Sequence, residues 1–493
     1  MLTTRYAEFR RQVLRETVPT VFAPVVLREA DSNYVPIPIS ERLVQAIWFD
    51  QRLSAAELRT TDDQPVRVLF PGWWNLEAGP DFRNATVQIG GDPELTGDIE
   101  IHLRADDWFH HGHEDDPGYN SVVLHVVLWE AGSDRRPRTQ AGDLAPQVVL
   151  QHHLAAPLET LYDEIDLDAY PHNVGNHEGP CAKLLAGLPV DTVRALLDEA
   201  GEERFANKVR KFSRWIHRAG VSQAFYEAWM EALGYKANKS GFRTLAQRLP
   251  LAELAAHRAD LAALFFGVAN FLPTDLPQPR DAAGQQYLKR LWNRWWKLRP
   301  DFADRVFQAD QWRLHGVRPA NHPHRRLGAA VALLKRHPDF VEKVIGAIES
   351  DGDPAKLFLQ ARDEYWAHHF TLGGRMQAQP LELIGPTRAA EIITNVVLPF
   401  VAAQAADRGD QSLHQRVAAR YATAAAEASN GVLRLAATQL FGSAAATKPY
   451  LTSARRQQGI MQIFQDFCLH DKSICRACQF PELVHRWAEK MKS

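Results

Sequence analysis

The sequence lacks the features that place a chain in a membrane or in the secretory pathway. No apolar run approaches the roughly 20 residues that span a bilayer, and the start, "MLTTRYAEFRRQVLRETVPT", has neither an apolar centre nor a small-residue cleavage site. Only four cysteines occur among 493 residues, too few for a disulfide framework. We therefore predict a cytoplasmic protein without a membrane partner, whose cysteines bind a metal, bind a cluster or pack in a core.

Lysine is missing from the first part of the chain. Residues 1–180 hold 14 arginines, no lysine and 29 acidic residues, whereas the remaining residues hold 43 basic and 30 acidic ones. The formal net charge of −2 therefore hides an acidic part and a basic part. The acidic part is suited to cations and the basic part to a polyanion. Attraction between two oppositely charged domains explains the same distribution.

The hydrophobic pattern changes where the charge changes. "SERLVQAIWFDQRL" has helical periodicity and precedes β-rich runs such as "VRVLF", "ATVQIG", "GDIEIHL" and "SVVLHVVLW". Beyond about residue 185 the strand pattern ends, and helical stretches rich in Ala, Leu and Arg follow. We predict an α/β domain with a mixed sheet over residues 1–175. A larger, mainly α-helical region with a C-terminal cysteine cluster is predicted over residues 176–493.

Polar ligands alternate with apolar residues in one predicted strand. In "GDIEIHL", Asp98, Glu100 and His102 occupy one face, and apolar side chains occupy the other. Asp81, at the start of the preceding strand, can reach the same patch. Carboxylates held close together repel each other unless a hard cation such as Mg²⁺ or Mn²⁺ lies between them. A strand with one solvent-exposed face has the same alternation, so the pattern alone leaves both interpretations open.

The order of the elements resembles the αβββαβ core of the PD-(D/E)XK nuclease superfamily. "GPDF" is similar to the P-D element of that superfamily, and "EIH" is similar to its (D/E)-x-K element. The resemblance implies phosphodiester hydrolysis with a divalent metal held by Asp81 and Glu100, while Glu41 matches a carboxylate of the first helix. His102 occupies the position of the lysine that orients the attacking water. Because the first lysine of the chain is Lys183, His102 has to take over that role or the activity is lost.

Histidines are concentrated directly after this strand. "DWFHHGH" places His110, His111 and His113 there, and His125 lies in the next predicted strand. His102, His111 and His113 could join a metal site, which would then favour Mn²⁺, Fe²⁺ or Zn²⁺. The predicted ligands of this site are Asp81, Asp98, Glu100, His111 and His113. The alternative is a hydrogen-bonded surface cluster, with His125 as a core residue.

The cysteines are candidates for a second metal site. Cys468, Cys475 and Cys478 have the spacing C-x6-C-x2-C near the C-terminus, and Cys181 lies at the junction of the two predicted domains. Four thiolates bind Zn²⁺ or an iron–sulfur cluster, and His470 can replace a missing fourth ligand. The set is similar to the iron–sulfur site of some RecB-type nucleases, although the order of the spacings differs. The alternative is a buried Cys181 and an unrelated cysteine pair.

Two basic stretches in the helical region are candidates for nucleic-acid binding. "RFANKVRKFSRWIHR" and "LKRLWNRWWKLR" combine basic residues, which neutralise phosphates, with tryptophans that can stack on bases. The predicted nucleic-acid-binding residues are Lys208, Arg210, Lys211, Arg214, Arg290, Arg294 and Lys297. Tryptophans at helical spacing also pack in cores, and basic rows also form solvated helix faces, so the pattern fits a structural role as well.

Longer segments resemble an uncharacterised bacterial family that is catalogued as a domain of unknown function. "NLEAGPDFRNATVQI", "GDIEIHLRADDWFHHGHEDDPGYNSVVLHVVLW" and "GVRPANHPHRR" carry this resemblance, which spans nearly the full length and implies one inherited unit. Three hypotheses follow from the sequence. The first is a metal-dependent nuclease, and the second is a catalytically inactive nucleic-acid-binding protein on the same scaffold. The third is a structural or assembly protein whose oppositely charged halves dock.

Overall fold

The computed structural model combines a seven-stranded β-sheet with many helices. It describes residues 4–17, 39–54, 58–76, 79–130, 135–165, 167, 170, 181–235, 237–272, 281–308, 311–314, 317–468 and 478–491. The strands are β1 Leu58–Arg59, β2 Pro65–Phe70, β3 Trp73–Trp74, β4 Phe82–Ile89, β5 Leu95–Arg104, β6 Val122–Trp129 and β7 Gln147–Val149. The α-helices are α1 Arg5–Thr17, α2 Glu41–Phe49, α3 Asp107–His110, α4 Leu158–Glu164, α5 Cys181–Ala186, α6 Val190–Ala219, α7 Val221–Leu233, α8 Lys239–Arg248, α9 Leu251–Leu254, α10 Leu261–Val268, α11 Ala282–Phe302, α12 Pro323–Arg336, α13 Phe340–Glu349, α14 Ala355–Phe358, α15 Glu364–His368, α16 Pro386–Ile392, α17 Leu398–Arg408, α18 Gln411–Thr423, α19 Gly431–Phe441, α20 Ala454–Ile463 and α21 Phe480–Lys490.

The sheet is mixed. Its hydrogen-bonded strands run in the order β1-β2-β4-β5-β6-β7, and β3 pairs with β4 outside this path. Strands β4 and β5 are antiparallel, whereas β5 and β6 are parallel, with Glu100 opposite His125. Because parallel neighbours need a crossover connection, residues 105–121 cross one face of the sheet between β5 and β6. The prediction of an N-terminal α/β part with a mixed sheet and a larger helical region is confirmed.

Helix α2 covers one face of the sheet. Its side chains, among them Ile47 and Trp48, share a core with apolar residues of β4, β5 and β6. Ile99 of β5 belongs to this core. Successive side chains of a strand point to opposite faces, so Glu100 and His102 alternate with the core residues of β5 and project from the face opposite α2.

The chain forms two compact units that are not consecutive along the sequence. The unit with the sheet comprises Ala7–Val193, Gly431–Thr447 and Ile460–Ser493. The helical unit comprises Met1–Tyr6, Arg194–Asn430 and Lys448–Gly459. A division into domains at residue 175 stays a prediction.

One helical stretch among the described residues is long and apolar enough to cross a membrane. This stretch, Pro386–Arg408, runs through α16, a π-helical segment and α17. Within its most apolar window, 72% of the residues are buried inside the protein. Core helices of soluble proteins pass the same test, so the stretch is weak evidence for a membrane span.

Candidate functional site

Four side chains that can bind a metal converge on the face of the sheet opposite α2. We call Glu100, His102, His111 and His113 the Glu–His cluster. The first two project from β5, and the other two lie in the crossover just after α3. Glu100, His102 and His113 are buried, whereas His111 is exposed. The cluster is therefore accessible from solvent on the side of His111.

The ligand atoms of the three histidines are spaced like the ligands of one ion, and a carboxylate oxygen of Glu100 lies next to two of them. His102 Nε2 is 3.0 Å from His111 Nδ1 and 3.3 Å from His113 Nε2. Glu100 Oε1 is 3.5 Å from His102 Nε2 and 3.4 Å from His113 Nε2. With a Zn–N distance of about 2.0–2.1 Å, adjacent ligands are about 3.3–3.4 Å apart in a tetrahedron and about 2.8–3.0 Å apart in an octahedron. The three histidine ligand atoms all lie within 4.8 Å of one another, so one ion can contact them together.

Hydrogen bonds behind His102 determine which of its ring nitrogens faces the cluster. His125 Nδ1 is 3.1 Å from Gln147 Oε1, and His125 Nε2 is 2.8 Å from His102 Nδ1. An amide oxygen only accepts, so a neutral His125 donates from Nδ1 and accepts the His102 Nδ1–H at Nε2. The lone pair of His102 Nε2 then points into the cluster. Metal-binding histidines typically have such a partner on the second ring nitrogen.

Burial lowers the pKa of His102, His113 and His125. Burial, strengthened by the neighbouring His111, lowers the pKa of His113 to about 4. Burial also lowers the pKa of His125 to about 3, although the hydrogen bond to Gln147 opposes this shift. The pKa of His102 is lowered well below its usual value by burial and by the surrounding imidazoles. His102 and His113 are therefore already in the unprotonated form that binds metals at neutral pH.

Asp81 holds Glu100 in place. The backbone N–H of Asp81 donates to Glu100 Oε2 at 3.0 Å, and Asp81 Oδ2 accepts from the Ile101 N–H at 3.1 Å. Asp81 Oδ1 accepts from Gln45 Nε2 at 2.8 Å. Gln45 lies one helical turn after Glu41, the half-buried first residue of α2. Asp81 thus connects α2 to the strand that carries Glu100, and Gln45 is a site residue that no motif in the sequence indicated.

Asp98 lies outside the Glu–His cluster and is bound by protein donors. Its Oδ2 accepts from Arg83 Nη1 at 3.2 Å and from Ser121 Oγ at 2.7 Å. Its Oδ1 accepts from the Asn84 N–H at 3.0 Å. These bonds connect β5 to β4 and to the start of β6, so the contacts of Asp98 are those of a structural residue.

Gly112 lets the crossover present two histidines to the cluster. Its φ of +72° lies in the left-handed region that favours glycine, and a Cβ at this position would meet nothing within 4 Å. Gly112→Ala is expected to strain the backbone by about 1 kcal/mol without a steric clash. If the metal-free variant relaxes this strain by moving the flanking His111 and His113, Zn²⁺ binding has to restore it, so Zn²⁺ affinity should fall by up to about fivefold in a chelator competition titration. Gly91→Ala, in an open turn without positive φ, should leave the affinity unchanged; equal affinities of both variants would contradict this role of Gly112.

Three of the four cysteines lie in the described part of the chain. Cys181 is the buried first residue of α5, and Cys468 and Cys478 are half-buried. Cys475 and His470 lie outside the described residues. A zinc or iron–sulfur site at the cysteines therefore stays a prediction.

The basic residues predicted on α6 contact neighbouring side chains of the helical unit. Lys208 Nζ donates to two amide oxygens at 2.6 and 2.9 Å. Arg210 and Lys211 form ion pairs with glutamates at 2.8 and 3.4 Å, and Arg214 is half-buried. These contacts give the first three cations a role within the unit itself.

The basic residues of α11 form an exposed row, which we call the α11 stripe. A surface depression is lined by Gln286, Lys289, Arg290, Asn293, Arg294 and Lys297, and its four cations form the stripe. They are exposed, and the spacings of four residues from Arg290 to Arg294 and three from Arg294 to Lys297 place these three on one helix face, with Lys289 directly before them. Arg294 Nη1 pairs with Asp260 at 2.9 Å. Trp295 is buried, and Trp292 and Trp296 are half-buried with ring centres 5.4 Å apart. Helix α11 therefore presents cations to solvent more than aromatic faces.

Comparison with known proteins identifies the family but no activity. No curated protein and no solved structure matches the chain. A family model described as "Protein of unknown function (DUF2851)" matches residues 41–430, which include the sheet, the Glu–His cluster and the α11 stripe. The chain therefore belongs to the DUF2851 family of proteins of unknown function.

Proposed function

We propose that the protein is a metal-dependent hydrolase of phosphodiester bonds in nucleic acid, with the metal bound by the Glu–His cluster. The observation that carries this proposal is the convergence of three imidazole nitrogens and one carboxylate oxygen from β5 and the crossover. Such a nitrogen-rich set of ligands favours Zn²⁺, Fe²⁺ or Mn²⁺ over Mg²⁺. In this proposal His102 is a ligand, and Glu100 is the ligand that the nuclease-like motif and the cluster share.

The surroundings of the cluster suit hydrolysis at its exposed side. A divalent ion at this position neutralises charge on a phosphodiester and activates a water molecule for attack. The exposed imidazole of His111 marks the side from which a phosphodiester approaches, while Glu100 and His102 close the opposite side. Asp81 and His125 act as positioning residues, because each one contacts a ligand through a hydrogen bond.

Two observations support nucleic acid as the substrate class. When the two-residue strands β1 and β3 are left aside, the order α2, β2, β4, β5, α3, β6 resembles the αβββαβ order of the PD-(D/E)XK superfamily, with Asp81 directly before β4 and Glu100 within β5. The α11 stripe adds four exposed cations at a spacing that suits a polyanion. The α11 stripe contains none of the metal ligands, so it supports the substrate class independently of the Glu–His cluster.

Metal analysis tests the proposal directly. The purified protein should contain stoichiometric transition metal by inductively coupled plasma mass spectrometry, and His111→Ala should lose most of it. His110→Ala is the matched control, because His110 is the adjacent imidazole, is exposed and lies outside the cluster. Equal metal contents in the two variants would contradict a metal site at the cluster.

The α11 stripe also favours a second candidate, namely nucleic-acid binding without cleavage. Labelled single-stranded, duplex and branched DNA and RNA, incubated with the Zn²⁺- or Mn²⁺-loaded protein, distinguish the two functions. Cleavage by the wild type and by His110→Ala, but not by His111→Ala, supports the hydrolase. Salt-sensitive binding that weakens in Lys289→Gln and Lys297→Gln, without cleavage of any substrate, favours the second candidate.

A further inference from the structure

We propose that the sheet face next to the Glu–His cluster binds single-stranded nucleic acid, with Trp73 stacking on an unpaired base. We call Arg67, Phe70, Trp73, Arg83 and Thr86 the Trp73 face. This inference takes nucleic acid as the class of ligand from the proposed function. It adds that the bound form is single-stranded and that it binds at the Trp73 face.

Trp73 is unusually exposed for a large apolar side chain. It is 68% exposed, the largest value among the exposed large hydrophobic residues of the described chain. Leu69, at the end of neighbouring β2, is also exposed. Trp74, the residue after Trp73, points the other way, into the core, and its ring centre is 5.3 Å from that of Phe82. The exposed indole of Trp73 therefore leaves a flat aromatic surface accessible to a ligand.

The backbone around Trp73 is firmly held. Trp73 lies opposite Arg83, and Trp74 lies opposite Phe82 in the β3–β4 pairing. Gly72 has a φ of +98°, and a Cβ there would lie 2.8 Å from Phe82 Cβ, so this close turn requires glycine. The Phe70 ring contacts the indole edge-on, with ring centres 5.3 Å apart. An indole that is already positioned loses little conformational entropy when a ligand binds.

The alternation along β4 places one cation and a hydroxyl on the same sheet face as this indole. Because Phe82 and Ala85 point into the core under α2, Arg83 and Thr86 point to the opposite face. The Arg83 side chain is 41% exposed, and Arg67 of β2 is exposed. Arg83 pairs with Trp73, and Arg67 lies opposite Gln88, five residues further along β4. A guanidinium group next to an aromatic platform and a second one further along the face match the phosphates and bases of a nucleic-acid strand.

The Trp73 face is on the same side of the sheet as the Glu–His cluster. Arg83 Nη1 contacts Asp98 Oδ2 at 3.2 Å, and Asp98 precedes Glu100 by two residues on the same face of β5. Two residues of a strand span about 7 Å. A nucleic-acid strand bound across the Trp73 face therefore continues towards the Glu–His cluster.

An unpaired base fits this surface better than a duplex or a protein does. Bases inside a duplex are stacked on each other, so their faces are not available to an indole, whereas single strands offer every base. Protein interfaces are larger and have an apolar centre, but here the apolar residues alternate with arginine and threonine. The mixture of one exposed indole, two guanidinium groups and a hydroxyl matches the chemistry of a single strand.

Fluorescence anisotropy with a labelled oligothymidylate and a matched duplex, in EDTA, tests the inference without hydrolysis. The wild type should prefer the single strand, and Trp73→Leu should bind it about 10- to 100-fold more weakly. Trp73→Phe should keep most of the affinity, because it keeps a flat ring. Leu144→Ala, which removes an apolar side chain that is 45% exposed elsewhere in the same unit, should bind like the wild type. Since Trp73 is exposed, all four proteins should have the same melting temperature.

Failure of this inference and failure of the proposed function give different results. Unchanged affinity in Trp73→Leu, or equal affinity for duplex and single strand, would overturn the inference even if the metal-loaded protein cleaves nucleic acid. Loss of affinity in Trp73→Leu but not in Trp73→Phe would sustain it even if no cleavage occurs with any metal.

Discussion

His102→Ala is expected to abolish both metal binding and phosphodiester hydrolysis. His102 Nε2 lies 3.0 to 3.5 Å from a ligand atom of each other member of the Glu–His cluster, so its loss removes the group that all of them contact. Glu100 is then the last member of the cluster that β5 carries. Metal content after dialysis and single-turnover cleavage of a labelled strand measure the two effects.

A graded series separates a metal centre from a hydrogen-bonded histidine cluster. His125→Ala removes only the partner of His102 Nδ1, so metal affinity should fall about 10- to 100-fold, with full occupancy restored at high metal concentration. Gln147→Ala, one bond further from the cluster, should have a smaller effect. If His102→Ala and His125→Ala retain wild-type affinity and differ only in melting temperature, the cluster has a structural role alone.

The sequence pattern of β5 predicts part of the site because strand alternation is local. "GDIEIHL" places Asp98, Glu100 and His102 on one face, and the core position of Ile99 fits this alternation. The pattern cannot distinguish Asp98 from Glu100, because the donors that bind Asp98 come from other strands. Arg83 and Ser121 lie 15 and 23 residues away in the chain.

The convergence of the histidines depends on topology. His111 and His113 reach His102 because β5 and β6 are parallel and the connection crosses the face on which His102 lies. Parallel pairing is not visible in the two strand sequences themselves. Gln45 and Gln147 carry no charge and belong to no motif, so their bonds to Asp81 and His125 emerge only in three dimensions.

The charge pattern of a helix in the sequence does not show which of its cations are exposed in the folded protein. The basic residues of α6 and α11 look alike in sequence, but Arg210 and Lys211 have glutamate partners, whereas Lys289 and Lys297 line an exposed depression. The glutamate that Lys211 contacts lies on the next helix, 20 residues along the chain. The difference in exposure between the cations of α6 and those of α11 therefore arises from tertiary contacts.

Gly459→Ala is expected to cause the largest loss of stability in the helical unit. A Cβ on Gly459 of α20 would overlap the carbonyl oxygen of Leu197 on α6, and a Cβ on Gly201 of α6 would overlap the carbonyl oxygen of Arg455. The two helix backbones therefore touch at a pair of glycines. Backbone atoms cannot move aside as a flexible side chain can, so the free energy of unfolding should fall by about 3 kcal/mol or more.

Gly346→Ala is the control for Gly459→Ala, because its effect on the free energy of unfolding should have the opposite sign. Gly346 also lies inside a helix, α13, but a Cβ there would meet nothing within 4 Å. Alanine favours the helical backbone over glycine, so Gly346→Ala should raise the free energy of unfolding by up to about 1 kcal/mol. Urea unfolding followed by circular dichroism measures both changes. If both variants lose stability, the loss in Gly459→Ala does not arise from the close crossing of α6 and α20. If Gly459→Ala loses stability and Gly346→Ala gains it, the loss is assigned to that crossing.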